Sequence, residues 1–222
     1  MNKTEPLLNS KVKIKATVSP AAPGSAVTLQ VKYQDKKKWK TIEHGRLNRS
    51  SKITFKDKVG SVRERRYRVV KPAGAGRGAG QGTAPKVTVF GWRDLTSIPA
   101  ATSSNVQKVD TLTINGVAYP KSLRSYIGYP PPGNTGSIEY NLNRDCKAFR
   151  GTVGVADSSP ASATATIQLS TDSTPRYSGS FALTQAAAVA FDVTKVFRLS
   201  IATSTTGNGQ AAVGTPQVLC SF

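Results

Sequence analysis

The sequence is poor in the features that build helices. Nowhere do Leu, Glu and Lys recur with the 3.6-residue period of an amphipathic helix. No run of about 18 apolar residues occurs, so no helical membrane span is expected. Acids are scarce, 12 Asp and Glu against 31 Lys and Arg, and His44 is the single histidine. G-x-S-x-G, H-E-x-x-H and the Walker loop are all absent, and the glycines at 74, 76, 78, 80 and 82 fit no register of G-x-G-x-x-G. His44 reads as a solvated residue of a polar turn, and no pair of carboxylates is brought together by spacing. Catalysis is therefore not expected. The first residues, MNKTEPLLNSK, hold no apolar core of the signal-peptide kind.

What the chain does hold is alternation with a period of two. Val12, Ile14, Ala16 and Val18 alternate with Lys11, Lys13, Lys15 and Thr17. Val27, Leu29, Val31 and Tyr33 do the same, as do Ile53 and Phe55, then Tyr67 and Val69. Each segment is a strand with one apolar and one solvated face. Further strands are predicted at 87–90, 111–114, 138–142, 149–155, 163–169, 181–183, 189–193, 197–201 and 211–220, with Asn115-Gly116 marking a hairpin. The fold class is all-β.

Charge divides the chain. Of its Lys and Arg, 21 lie in residues 1–86 against 5 acids, while residues 87–222 are nearly balanced. Between the two, KPAGAGRGAGQGTAP has almost nothing to bury and reads as a flexible linker. The expected organisation is a basic β-sandwich at 1–71, a Gly/Pro-rich linker at 72–86, and a second sandwich or jelly roll at 87–222. Cys146 and Cys220 lie near strand ends. Either they bridge, stabilising the fold by about 4 kcal/mol on the chain-entropy model, or both are reduced and buried. A bridge implies an oxidising compartment, hence a secreted protein whose export signal is not in this chain.

The second half resembles the NPCBM-type family of carbohydrate-binding modules. The resemblance rests on ordered blocks: Trp92-Arg93-Asp94-Leu95; Leu112-Thr113-Ile114-Asn115-Gly116-Val117-Ala118-Tyr119; and Ile138-Glu139-Tyr140-Asn141-Leu142 before Cys146 and Phe149. Val153-Gly154-Val155, Tyr177-Ser178-Gly179-Ser180 and Asp192-Val193 before Phe197-Arg198-Leu199 follow in order. The resemblance implies a galactose-binding-like jelly roll, glycan ligands and a structural calcium ion, for which Asp94 is the nearest matching carboxylate. The family usually has a Gly-Leu-Gly-x-His-Ala-like segment whose histidine helps hold the sugar; here residues 122–127 read Ser-Leu-Arg-Ser-Tyr-Ile. A later Asp- and His-bearing segment is replaced by Gly-Asn-Gly-Gln-Ala-Ala at 207–212. The first half is similar to small bacterial immunoglobulin-like modules in Trp39-Lys40-Thr41-Ile42, Ile53-Thr54-Phe55 and Tyr67-Arg68-Val69-Val70.

A sugar site needs an aromatic face and planar polar groups. The richest supply is Tyr126, Tyr129 and Asn134 in a proline-stiffened loop, with Arg124, Asn143, Arg176 and Tyr177 as further candidates. Packing of both tyrosines over the sandwich edge is the competing reading. Tyr140 is assigned to the core, and Trp92 to core packing ahead of any site. In the basic half, Lys11, Lys13, Lys15, Lys36, Lys37, Lys38, Lys40, Arg63, Arg65 and Arg66 are candidate contacts to polyanions such as acidic cell-wall polymers. No helix-turn-helix, zinc-finger or RNP-like pattern points to dedicated nucleic-acid recognition. The function expected is a non-catalytic, secreted carbohydrate-binding protein or accessory module; the alternative is a structural or protein-interaction module without a working sugar site.

Overall fold

The computed structural model describes every residue except 75, 127–134 and 207. Two compact units emerge, Met1–Gly91 with Ser221–Phe222, and Trp92–Cys220. Among the described residues no α-helix occurs; Leu95–Ser97 forms a 3-10 turn. The fold is all-β.

In the first unit, β1 (Lys11–Thr17) pairs antiparallel with β4 (Lys52–Lys58) as a two-stranded sheet. β3 (Lys40–Arg46), β2 (Ala26–Tyr33), β5 (Arg65–Lys71) and β6 (Gly80–Thr83) form a four-stranded sheet in that order. The period-two pattern explains both: Val12, Ile14 and Phe55 of one sheet meet Val27, Leu29, Val31 and Tyr67 of the other in one buried cluster.

Three expectations fail here. Residues 72–86 are not a free linker, since β6 pairs with β5 from Arg68↔Thr83 to Lys71↔Gly80. An edge strand needs only backbone N–H and C=O groups, which glycine supplies, and Arg68 NH1 ties itself to Gln81 Oε1 at 3.1 Å. Nor do residues 87–90 open the second unit. Val87 and Val89 are buried in the first unit's core, and Val87 exchanges backbone hydrogen bonds with Arg65. An apolar alternation says that a face is buried, not in which core. His44 also lies on a strand, β3, opposite Thr28 rather than in a turn.

Arg65, 2 % exposed against 6 % for Lys71, is the more deeply buried of two buried charges among the first unit's described residues. Its NH1 lies 3.8 Å from Asp57 Oδ2, its NH2 donates to Ser61 O at 2.6 Å, and its guanidinium lies over the Tyr33 ring. Tyr67 donates its hydroxyl to the same Asp57 oxygen at 2.6 Å. Burial first, then that carboxylate, pushes the Tyr67 hydroxyl well above its ordinary pKa.

Among its described residues the second unit has eleven strands: β7 (Gly91–Asp94), β8 (Thr102–Ser104), β9 (Val106–Ile114), β10 (Val117–Ser125), β11 (Thr135–Asn141), β12 (Cys146–Val155), β13 (Thr164–Thr171), β14 (Thr174–Ala182), β15 (Ala186–Asp192), β16 (Arg198–Thr205) and β17 (Ala211–Cys220). One sheet runs β15-β12-β17-β10-β9 with β7 beside β17; the other runs β14-β13-β16-β11-β8. Phe149, Val153, Val155 and Val218 of the first face Ile138, Tyr140, Ile167 and Ile201 of the second across a continuous core. Cys146 and Cys220 occupy paired positions on β12 and β17 and are joined by a disulfide.

The β9–β10 hairpin turns at Asn115 and Gly116, both at positive φ (50° and 74°), as a two-residue type I′ loop requires. Both carboxylate oxygens of Asp157 accept from its backbone, at 2.8 Å from Asn115 N and 2.8 Å from Gly116 N. The hairpin packs onto the outer face of β12 and β17, where Leu112 and Ile114 cluster with Ala156 and Ala212. Glycine is required at both contact points. A Cβ on Gly154 would stand 2.7 Å from Ile114 Cγ2, and one on Gly214 would stand 2.5 Å from the Tyr119 ring.

Candidate functional site

Of the two segments that depart from the family pattern, the described residues 122–126 and 208–212 come together at one end of the second sandwich. Arg124 pairs with Ala212, and Ala211 N donates to Ser125 Oγ at 2.9 Å. On its other side Arg124 stands directly opposite Gln107 of β9. Gln107 turns its amide oxygen to the guanidinium, which donates from Nε at 2.6 Å and NH2 at 2.9 Å. NH1 reaches Gln210 Oε1 at 3.3 Å. Gln210 is itself held, its N–H donating to Ser159 Oγ (3.0 Å) and its carbonyl accepting from Ala156 N (2.9 Å). Three of the five N–H groups of the half-buried guanidinium are thus engaged, and among the described residues the other two meet no acceptor.

Tyr126 follows directly and is 51 % exposed. Its N–H donates to Asn105 O at 2.7 Å, and Asn105 Nδ2 donates to Thr135 O at 3.0 Å. One asparagine, itself at φ 52°, therefore clamps both sides of the segment that leaves β10 and enters β11. Gly136 makes the clamp fit, for a Cβ there would lie 2.7 Å from Asn105 O. Tyr129 and Asn134 lie outside the described residues. The arrangement offers a flat cationic donor set, two amides and an exposed aromatic ring on preorganised backbone, which suits a polyhydroxylated ligand.

The remaining sugar candidates lie elsewhere. β11 runs from Thr135 beside Ser204 to Asn141 beside Arg198, so Asn143, just beyond, sits at the opposite end of the sandwich. Arg176 donates to Asp192 O at 3.2 Å and lies over the Phe191 ring at that same opposite end. Tyr177 is half-buried against the core. Tyr140 is fully buried as expected, and its hydroxyl has no hydrogen-bond partner among the described residues; burial pushes its pKa up.

Trp92 is not a core residue: it is 38 % exposed, with the Arg150 guanidinium 3.9 Å over its ring. The reason is a polar chain on the outer face of the sheet. Arg150 donates to Gln217 Oε1 (2.9 and 2.6 Å), and Gln217 Nε2 donates to Asp94 Oδ1 (2.7 Å). Asp94 Oδ2 accepts from Lys121 Nζ (2.8 Å). The Gln217 hydrogen bond, then Lys121, hold the Asp94 carboxyl below its ordinary pKa. A calcium ion does not fit there: both oxygens are occupied, one by a cation, and no group of three or more His, Cys, Asp or Glu suited to a metal is found among the described residues.

In the first unit, Lys11, Lys13 and Lys15 do share an exposed face. Lys36, Lys37, Lys38 and Lys40 are exposed around the β2–β3 turn, with Lys36 and Arg63 both beside Asp35. Arg66 is exposed on β5 opposite Lys32. Arg65 is excluded as a polyanion contact by its burial; the alternation Arg66, Arg68 outward puts Arg65 inward. Lys52, Lys56 and Lys58 escaped notice because their relation to β1 is a long-range pairing. Gln107, Gln210 and Arg150 were missed for the same reason. A cavity of about 800 Å³ also opens in this unit, with Ile14, Val18 and Val69 in its lining and Lys71 beside them, the Lys71 ammonium held by the carbonyls of Pro72 and Gly78.

No curated protein matches the chain. Among solved structures, the CBM51 module of Clostridium perfringens GH95, in complex with methyl-galactose, is similar at 17% identity over 57% of this chain and 99% of that one, with a TM-score of 0.48. The M60 catalytic domain with the CBM51-1 and CBM51-2 domains of Clostridium perfringens ZmpB is similar at 16% identity over 89% of this chain and 28% of that one (TM-score 0.47). CBM51-2 in complex with GlcNAc, with the INT domains of the same protein, gives 12% identity over 71% and 37% (TM-score 0.47). The NPCBM/NEW2 domain model matches residues 90–213, more than half of the sequence. The chain belongs to the NPCBM/NEW2 domain family.

Proposed function

We propose that the second unit is a glycan-binding module and that the chain acts as a secreted, non-catalytic accessory protein. One observation carries this reading: Arg124 is held by Gln107 and Gln210 beside the exposed ring of Tyr126, with two N–H donors unmatched among the described residues. A guanidinium and two amides would take the place of the family's histidine in ordering sugar hydroxyls. The disulfide supports an oxidising compartment, and no helix among the described residues is long and apolar enough to cross a membrane. The same reading takes the first unit as an immunoglobulin-like sandwich, on its two facing sheets, and as the part drawn to anionic polymers, on its excess of Lys and Arg.

Binding of the full chain to a glycan array at high salt tests the module, with methyl-galactose and GlcNAc among the probes. Arg124→Ala and Tyr126→Ala should each lower affinity about tenfold, roughly 1.4 kcal/mol. Salt-resistant binding that ignores both substitutions would reject this site. No binding to any glycan would favour a structural or protein-interaction module, a reading supported by the three guanidinium N–H groups already engaged within the chain.

A further inference from the structure

The two-stranded sheet of the first unit carries a charge pattern with no internal purpose. β1 and β4 pair so that Lys11 stands opposite Lys58 and Lys13 opposite Lys56, while Lys15 faces Thr54 and Lys52 faces Thr17. All six lysines are exposed, because the intervening Val12, Ile14 and Phe55 fill the core. None of the six forms an ion pair among the described residues. Asp57 lies on the same strand but on the inner side, engaged with Arg65 and Tyr67. Like charges placed directly opposite each other on one sheet face destabilise it. Some other cations of this unit are occupied: Arg63 and Lys36 with Asp35, Arg68 with Gln30, Gln81 and the Trp39 ring.

We propose that this lysine face is the binding surface for a linear acidic polysaccharide. The proposal rests on the reading that the first unit is drawn to anionic polymers, and it names the site and the ligand class. Alternate residues of a strand are about 7 Å apart, twice the rise per residue, and paired strands are about 5 Å apart. The lysines therefore form two parallel rails of ammonium groups. A small anion meets one or two of them, whereas an extended polymer with repeated fixed charges meets several at once and releases its counterions on doing so. Ammonium groups on flexible stems accept varied anion positions, where guanidinium forks demand bidentate geometry. The face carries only Lys and Thr, with no aromatic side chain. Unpaired bases would find nothing to stack on, which favours a polysaccharide over single-stranded nucleic acid.

The test measures binding of the full chain to polygalacturonate and to an oligo-dT of matched charge across a salt series. One variant carries Lys11→Gln, Lys13→Gln, Lys56→Gln and Lys58→Gln; a control carries Lys36→Gln, Lys37→Gln and Lys38→Gln. The face variant should lose polygalacturonate affinity at least tenfold at about 50 mM salt, with the salt slope shallower by roughly three. The control should change less. The face variant should unfold no earlier than the parent, since two opposed like-charge pairs are removed; were it to misfold, the milder Lys13→Gln with Lys56→Gln pair gives the same reading at smaller amplitude. Failure of the parent to bind polygalacturonate would overturn the anionic-polymer reading and this inference together. Binding lost in the turn variant but kept in the face variant would overturn the inference alone. Oligo-dT bound as tightly, and lost through the same lysines, would replace the polysaccharide by nucleic acid.

Discussion

The two units use the same strand grammar and stabilise it by different means. The first places a nearly inaccessible Arg65 in its interior and satisfies it with Asp57, Ser61 and Tyr33. The second keeps its core apolar and closes it with a disulfide between paired residues of β12 and β17. A buried charge is costly to desolvate and tolerates no loss of its partner, whereas a covalent closure acts mainly on the unfolded chain. The first unit also spreads like charges over an exposed sheet, while the second spends its outward polar groups on the chain from Arg150 to Lys121. The unit rich in charge therefore depends on particular electrostatic partners. The other depends on burial and a covalent tie.

That contrast can be broken at its largest point by removing the disulfide. Cys146→Ser with Cys220→Ser should destabilise the second unit by about 4 kcal/mol, given the 74-residue separation. Amide exchange resolved by unit should show the first unit unaffected. Conversely, Asp57→Ala should cost the first unit about 3 kcal/mol by stranding Arg65, leaving the second unit's protection unchanged. Equal losses in both units for either variant would mean that they unfold as one cooperative body. Gly136→Ala should displace the Asn105 clamp and weaken glycan binding about tenfold, roughly 1.4 kcal/mol, with the melting curve shifting less than for the cysteine variant.

Smaller effects sharpen the picture of the second unit. The Asp94 carboxyl is depressed from its ordinary 3.8, so its contribution is full above that pH and fades as pH falls through the lower folded value. Asp94→Asn should accordingly lower the unit's stability in full at pH 7, and its gap from the parent should narrow as pH falls below 3.8. Tyr140→Phe should be the mildest. Its hydroxyl has no partner among the described residues, so stability should change by no more than about 0.5 kcal/mol, and upward.

Local pattern carried much of this architecture into the sequence. Alternation located β1, β2, β4, β5 and β17, and Asn115-Gly116 announced its hairpin, because strand faces and tight turns are decided by neighbours in the chain. The resemblance to the NPCBM family came from short blocks of the same kind. Pairing between distant strands left no local trace. Thus β6 was mistaken for a linker, Val87 and Val89 were credited to the wrong core, and Lys56 and Lys58 were not connected to Lys13 and Lys11. The candidate sugar site was half legible: Arg124 and Tyr126 stood out by composition, whereas Gln107 and Gln210 join them only through β9 and β17. Trp92 was misplaced because an aromatic residue in a short strand does not declare which side of its sheet it occupies.

The type I′ turn at Asn115 and Gly116 acts at a distance. Arg124 and Gln107 are cross-strand neighbours only in the register that this turn imposes and Asp157 holds. A slip of one residue would rotate Arg124 to the opposite face of the sheet, although the slip begins about 30 Å away along the strand. If the proposed glycan site is right, a substitution at Asp157 that never approaches a sugar should rewrite or erase its ligand preference.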